Sequence, residues 1–230
     1  ASKNSWLYIL NRATGEPVHP IIETPVSTVT DVEGEVPYPT QPIPHKANGE
    51  RMEPVSPVFP TDIPAQQMEA NDLVEQFTPI GPNQIFSPGY GGGANYAPIS
   101  FSKDTGYLYI NAIDQPFNSG RDPKGYFSAY DPTTGELIWR QIFEGYGQAG
   151  SVVTAGGIVF VGAGSNTAGY FYAYDAYTGE ELWKFNTGAG VFASPSIYVI
   201  DGQEYVTVAS GGGSRGRRGG DLILVFALPD

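Results

Sequence analysis

The sequence predicts an all-β fold, and three observations predict it. First, 30 Gly and 20 Pro in 230 residues punctuate the chain too often for long helices. Second, 15 Tyr and 12 Phe supply the aromatic bias that half-buried pleated strands favour. Third, a segment repeats. Ala129-Tyr130-Asp131-Pro132-Thr133-Thr134-Gly135-Glu136-Leu137-Ile138-Trp139 recurs as Ala173-Tyr174-Asp175-Ala176-Tyr177-Thr178-Gly179-Glu180-Glu181-Leu182-Trp183. The Asp pair and the Trp pair share one offset, 175 − 131 = 183 − 139 = 44. Periods of ~40–50 residues with several short strands in each are the signature of propeller blades.

The repeat unit has a readable physics. An alternating strand, Tyr170, Tyr172 and Tyr174 against Phe171 and Ala173, runs into a turn. Asp175 can accept backbone N–H groups there, and Thr178-Gly179 closes the turn, with Gly free to take positive φ. The next strand ends on Trp183, large enough to wedge between neighbouring blades. A hairpin turn alone explains the Asp and the Gly, but not a Trp at the same offset in both copies. Both Trp side chains are therefore expected in equivalent buried positions. A degenerate copy opens the chain at Tyr8-Ile9-Leu10-Asn11-Arg12-Ala13-Thr14-Gly15-Glu16, with Asn11 in the Asp position.

Strand-like runs lie between the turns at Gly106 to Ala112, Ser151 to Thr154, Gly157 to Val161, Ala193 to Val199, Glu204 to Ala209 and Asp221 to Ala227. Grouped by the repeat, they give four-stranded antiparallel blades at 95–143, 149–187 and 191–228. Residues 1–18 supply the tail of an earlier blade. The whole chain, 1–230, then reads as a single partial β-propeller domain of about three and a half blades. Residues 19–88 form an inter-blade insertion. With Pro17 just before it, that stretch holds 14 of the 20 prolines and little periodicity, so it is expected to be extended or irregular, with one short helix near Ala65 to Phe77. It is either a wall over the propeller mouth or a solvated strap.

Net charge is −12, and an acidic surface repels phosphates, so nucleic acid is excluded as a partner. The chain has no cysteine, which removes disulfides and thiolate chemistry. No run approaches the ~20 apolar residues of a membrane span. The sequence opens directly on a strand-like run, so a fragment, a processed product or one subunit of a split protein is expected.

The two Ala-x-Asp-x-x-Thr-Gly-x-x-x-Trp copies resemble the tryptophan-docking motif of the pyrroloquinoline quinone (PQQ)-dependent dehydrogenases, which are eight-bladed propellers. Three further stretches carry the resemblance. Lys3-Asn4-Ser5-Trp6-Leu7-Tyr8-Ile9-Leu10-Asn11-Arg12 is similar to the segment bearing the family's cofactor-contacting Lys or Arg. Gly92-Gly93-Ala94-Asn95-Tyr96 resembles its Gly-Gly-x-Asn-Trp stretch. Gln203-Glu204-Tyr205-Val206, then Ala209-Ser210-Gly211-Gly212 and the run from Gly220 to Pro229, are similar to the C-terminus of the membrane-bound glucose and polyol dehydrogenase branch. The resemblance implies the C-terminal portion of an eight-bladed propeller. It implies oxidation of an alcohol, sugar or polyol, electron transfer to a ubiquinone-type acceptor, and a periplasmic location with attachment to the inner membrane through a missing N-terminal region. It also implies PQQ and Ca²⁺ as cofactors. The calcium ligands and the catalytic aspartate precede the position of Lys3 in the family, so they are expected in the missing N-terminal half, and this chain alone is expected to be inactive.

A quinone oxidant needs donors on its carbonyl oxygens, where negative charge develops, and a base for the substrate hydroxyl. Taken alone, Lys3 is a solvated lysine at a strand start. The matched frame implies instead an ammonium directed at the quinone oxygens, which makes Lys3 the candidate catalytic and cofactor-binding residue. Asn95 is either a turn residue after the glycines or, by resemblance, an amide donor to the same oxygens. Tyr96 stands where the family often has Trp and implies an aromatic wall. Gln148 falls where relatives place a residue beside the cofactor's carboxylate side.

Other constellations carry less. Gly211 to Gly216 has the composition of a phosphate loop, but no helix pattern follows it. Arg215, Arg217 and Arg218 make the basic cluster, either a solvated loop or a docking site for anionic lipid. His19 and His45 lie too far from other ligand types to argue a metal site. The rival function is a non-enzymatic propeller scaffold for protein binding or outer-membrane assembly, which has no need of Lys3 or Asn95.

Overall fold

A computed structural model of the chain describes residues 1–165, 167–212 and 219–227. Within the Pro-rich segment, β1 (Ile21–Pro25) and β2 (Thr40–Pro44) pair antiparallel, α1 (Ala65–Ala70) is a six-residue helix, and β3 (Asp72–Leu73) pairs in parallel with β4 (Gln84–Ile85). Then come three sheets. The first has β5 (Ser100–Phe101), β6 (Leu108–Asp114), β7 (Lys124–Tyr130) and β8 (Leu137–Glu144). The second has β9 (Ser151–Val153), β10 (Ile158–Gly164), β11 (Gly169–Asp175) and β12 (Glu181–Asn186). The third has β13 (Ser196–Ile200), β14 (Gln203–Gly212) and β15 (Gly219–Ala227). Strands follow chain order within each sheet, and neighbours are antiparallel. The first two sheets are four-stranded, whereas the third has three strands among the described residues. Arg215, Arg217 and Arg218, and the chain beyond Ala227, lie outside the described residues.

The sheets stack face to face, so their central strands are buried on both sides. Alternation in β6 divides its side chains between two cores. Tyr109 joins Phe127, Ala129, Val159 and Tyr174 between the first and second sheets. Ile110 and Ala112 turn the other way, onto Leu7, Met52 and Val55 from the N-terminal segment and the insertion. A third cluster, Phe171 with Val191, Val206 and Val208, joins the second and third sheets.

Three Asx turns have the same wiring. The nitrogen of Asn11, Asp131 or Asp175 donates to the carbonyl of Glu16, Glu136 or Glu180 at 2.7–2.9 Å. The nitrogen of Gly15, Gly135 or Gly179 returns a bond to the Asx carbonyl, with φ of 76°, 79° and 74°. The Asx side-chain oxygen accepts the nitrogens that follow, those of Ala13, Thr133 and Tyr177 among them. Asn11 accepts as Asp does, which is why the first copy tolerates the change.

The tryptophans dock differently from each other. Trp139, 8% exposed, donates its indole N–H to the Ala176 carbonyl in the next sheet's turn at 3.1 Å. Its ring lies so close to Gly179 that a Cβ there would sit 2.6 Å from it. Trp183 holds the same register, opposite Ala173 as Trp139 is opposite Ala129, but it is 37% exposed. Equal burial was the wrong expectation. Trp183 packs on Phe171, Phe185 and Phe226, and the position at which a third turn would meet it lies beyond Ala227, outside the described residues.

The first copy has a docking residue that its sequence disguises. His19 follows Asn11 by the interval that separates each Trp from its Asp, 19 − 11 = 139 − 131 = 183 − 175 = 8. Its ring is buried, and Nε2 donates to the Pro132 carbonyl at 2.8 Å. Pro132 follows Asp131 as Ala176 follows Asp175. His19 thus does for the first sheet what Trp139 does for the second.

One further expectation changes. The Lys3 segment is not a strand. Ser5 turns with φ of 67°, and residues 2–6 close on themselves through Ser2 N to Trp6 O and Ser5 N to Ser2 O. The insertion, read from sequence as either a wall or a solvated strap, is tied to the first sheet at several points. The Tyr130 hydroxyl lies 3.1 Å from the carbonyls of Glu53 and Pro54, and burial pushes its pKa up to about 12. Arg121 donates to the Thr61 carbonyl and pairs with buried Asp114, and Lys124 pairs with Asp62.

Two predictions come from the turns. Trp139→Ala removes a large buried ring and should cost on the order of 3–5 kcal/mol. Trp183→Ala should cost clearly less, so urea unfolding that ranks Trp183 as the costlier site would refute the packing described here. Hydrogen bonds from Thr178 hold the Asp175 carboxyl below its ordinary 3.8. A depressed folded pKa gives stability that is present above the unfolded value and lost as pH falls through the folded one. Asp175→Asn keeps the acceptor but cannot titrate, so melts between about pH 5 and about pH 2 should show a shallower loss than in the unaltered protein. An equal loss would show that Asp175 does not contribute.

Candidate functional site

Strand direction sorts the loops. The Asx turns and the β5–β6 turn lie at one end of the first two sheets. The connections entering β5, joining β6 to β7 and leaving β8 lie at the other. Gly93 bridges Ile113 near the far end of β6, and Tyr146 bridges Gly164 at the far end of β10. Asn95, Tyr96 and Gln148 follow these bridges, so they share the end opposite the docking turns.

Lys3 is brought to the same end by backbone contact. The Ala94 nitrogen donates to the Ser2 carbonyl at 3.1 Å. Gly93 has φ of 67°, and a Cβ on it would collide with the Lys3 carbonyl oxygen, so only glycine permits this approach. Lys3 and Asn95 are therefore neighbours through Gly93-Ala94, although 92 positions separate them in sequence (95 − 3 = 92). Both side chains are exposed, as is Tyr96 at 67%.

Gln148 differs. It is 6% exposed, on the connection between the first two sheets. Asn111 of β6 holds that connection, donating to the Ala149 carbonyl at 3.0 Å, while a Cβ on Gly147 would stand 2.6 Å from the Asn111 side-chain oxygen. That buried oxygen has no hydrogen-bond partner among the described residues. Lys3, Asn95 and Tyr96 thus lie exposed at the end opposite the docking turns, with Gln148 buried in the connection between the first two sheets.

A cleft of about 360 Å³ opens beside Lys3, with Asn4, Gln76, Phe77, Phe86 and Tyr90 in its lining. Phe86, Tyr90 and Phe117 make an aromatic trio with centroids 4.7–5.7 Å apart. Gly89 lets this segment lie on the β6–β7 connection, because a Cβ there would strike the Gln115 carbonyl. Sequence reasoning missed these residues, since the Pro-rich segment has no periodicity to place them. His19 was findable from its interval to Asn11. Among the described residues, no group of three or more His, Asp or Glu is arranged to hold a metal ion.

The family model described as "PQQ: Glucose/ethanol/alcohol dehydrogenase, beta-propeller domain" matches residues 1–119 and 141–206. A quinoprotein ethanol dehydrogenase of Pseudomonas putida is 28% identical over 96% of this chain and 35% of its own length. A 1-butanol dehydrogenase (quinone) of Thauera butanivorans is 34% identical over 76% of this chain and 30% of its own. The crystal structure of a quinohemoprotein alcohol dehydrogenase from Comamonas testosteroni shares the fold, with a TM-score of 0.62 at 23% identity over 98% of this chain and 34% of that one. The chain spans about a third of the length of these relatives. With the family model covering most of the chain, and with sheets, docking turns and glycine contacts in agreement, the chain belongs to the β-propeller domain family of the PQQ-dependent glucose, ethanol and alcohol dehydrogenases.

Proposed function

We propose that this chain is part of a PQQ-dependent dehydrogenase that oxidises an alcohol, and that it supplies one side of the cofactor site. The observation that supports this reading is the backbone approach of Ser2-Lys3 to Gly93-Ala94, which brings the Lys3 and Asn95 positions to the same exposed end of the sheets. That donor set fits one edge of an ortho-quinone. Lys3 offers a cation, Asn95 offers N–H donors, and Tyr96 offers a ring face. When bound, PQQ supplies the two-electron oxidant for the alcohol.

The residues of this chain bind and stabilise. Negative charge grows on the quinone oxygens as substrate is oxidised, and a fixed cation in a dry site is worth far more than in water. Gln148 is assigned to the carboxylate side of the cofactor, where its burial restricts its motion. The catalytic base and the ligands of a Ca²⁺ ion are assigned to residues outside this chain, in the part of the protein that completes the propeller as an eight-bladed ring. Sugars and polyols are the wider substrate class on the resemblance to the membrane-bound branch. The ethanol and 1-butanol relatives favour a simple alcohol, and the quinone in one relative's name supports a quinone acceptor. A periplasmic site of action, with attachment to the inner membrane through a region outside this chain, follows the same resemblance.

Reconstitution tests the function. The intact protein loaded with PQQ and Ca²⁺ should oxidise 1-butanol or glucose with an artificial acceptor, and omission of PQQ should abolish turnover. Turnover that persists without PQQ would sink the proposal. Lys3→Ala should lower turnover by ~10²–10³ with melting nearly unchanged, since an exposed Lys contributes little packing. Lys3→Arg should retain part of the rate, because the charge survives while its geometry changes. Near-normal turnover for Lys3→Ala would remove Lys3 from the site and leave Asn95 as the chief contact.

A further inference from the structure

We propose that Gln76, from the Pro-rich insertion, is a positioning residue that fixes the Lys3 corner of the cofactor site, an inference that rests on the reading of Lys3 above. Residues 2–6 form a closed bend with Lys3 and Asn4 at its tip. The bend is anchored by Trp6, which is 1% exposed and has the Arg51 guanidinium 4.7 Å from its ring centroid. A buried indole N–H requires an acceptor. Gln76 provides it, Oε1 accepting from Trp6 Nε1 at 2.9 Å. The same amide turns its Nε2 to the Asn4 carbonyl, donating at 2.6 Å. One side chain thus holds both the anchor ring and the carbonyl of the residue after Lys3.

The chemistry suits an amide. A primary amide carries a donor and an acceptor on one planar carbon, so it satisfies an N–H and a C=O at once. The backbone is bent to deliver it. Phe77, next to Gln76, has φ of 66°, and Ser5, next to Asn4, has φ of 67°. Both are non-glycine residues in a sparsely populated region, one on each side of the clamp. A second grip holds the base of the bend, where Val55 N donates to Ser5 O at 2.8 Å and the Ser5 and Ser56 hydroxyls meet at 2.7 Å. That grip can preserve the fold when Gln76 is changed. What Gln76 adds is a side-chain hold on Asn4, the residue after Lys3, in the cleft that Lys3 and Gln76 both line. A flexible ammonium stabilises developing charge only if its root is fixed, and small misplacements of such groups are costly in rate.

The test is a double-mutant cycle in the intact protein loaded with PQQ and Ca²⁺, with 1-butanol as substrate and phenazine methosulfate as acceptor. Gln76→Met, of similar size, should lower kcat about tenfold while KM for 1-butanol changes less than about twofold. In the Lys3→Ala background the same change should have almost no further effect on kcat, because Gln76 acts through Lys3. Hydrogen exchange at the Ser5 and Trp6 amides should accelerate in Gln76→Met with or without cofactor. If Gln76→Met does not fold, Gln76→Glu carries the test. It keeps the acceptor for Trp6 and loses the donor to Asn4, and the same fall in kcat is expected. Wild-type kcat in the folded variant, or an undiminished effect in the Lys3→Ala background, overturns the role of Gln76. Wild-type turnover in Lys3→Ala alone instead overturns the reading of Lys3.

Discussion

The fold depends on one hydrogen bond made between sheets, a ring N–H donated to the carbonyl after the Asx residue of the next turn. A sheet buried on both faces has no intrinsic reason to stop sliding over its neighbour, because apolar contact is not directional. The ring N–H supplies the direction. Trp139 reaches the Ala176 carbonyl, and that carbonyl also accepts the Tyr109 hydroxyl at 3.0 Å. The turn must be rigid to receive it, hence the Asx cap and the positive-φ glycine, and it must be bare, hence glycine again where the ring lies. His19 and Pro132 repeat the arrangement with a smaller ring, which shows that the N–H and its reach matter more than the indole itself.

Stacking fixed at one end frees the other. The docking turns hold the sheets in register, so the opposite connections can be spent on close backbone approaches that a loosely stacked structure could not keep. Gly93 against Lys3, Gly89 against Gln115 and Gly147 against Ala112 are such approaches. They converge where the chain gathers an ammonium, an amide and exposed aromatic rings. The insertion belongs to this end as much as the sheets do. It reaches the Lys3 bend through Ser56 and Gln76 and the β6–β7 connection through Thr61 and Asp62. Its prolines suit the task, since fixed φ and missing N–H groups let the stretches outside the β1–β2 and β3–β4 pairs pack without a ladder.

The outer part of the third sheet contrasts with this. Trp183, Phe185 and Phe226 line an apolar groove of about 590 Å³ between the second and third sheets. Leu222, Ile223 and Val225 are also exposed on β15. The register of Trp183 is that of a docking residue, so the exposure reflects what faces it and not a defect in the repeat.

The sequence by itself determined what is local. The all-β class, the repeat and the three Asx turns were legible because each turn is wired within six residues, and Asp or Asn, Thr and Gly have few other reasons to recur at those intervals. Asn95 and Tyr96 were singled out by the resemblance of Gly92-Gly93-Ala94-Asn95-Tyr96 to a family motif. Tertiary structure decided the rest. The partner of a docking ring is a carbonyl 37 positions away for Trp139 and 113 for His19, so burial of Trp139 and exposure of Trp183 could not be told apart from identical motifs. His19 was hidden because recognition by residue type fails where only the N–H is retained. Lys3 was placed at the start of a strand-like run, yet Ser5 bends the chain there and the insertion grips it. Gln76 stands 72 positions from the carbonyl it holds, in a stretch whose prolines erase periodicity. Long-range hydrogen bonds of that kind leave no local pattern, and they set the geometry of the candidate site.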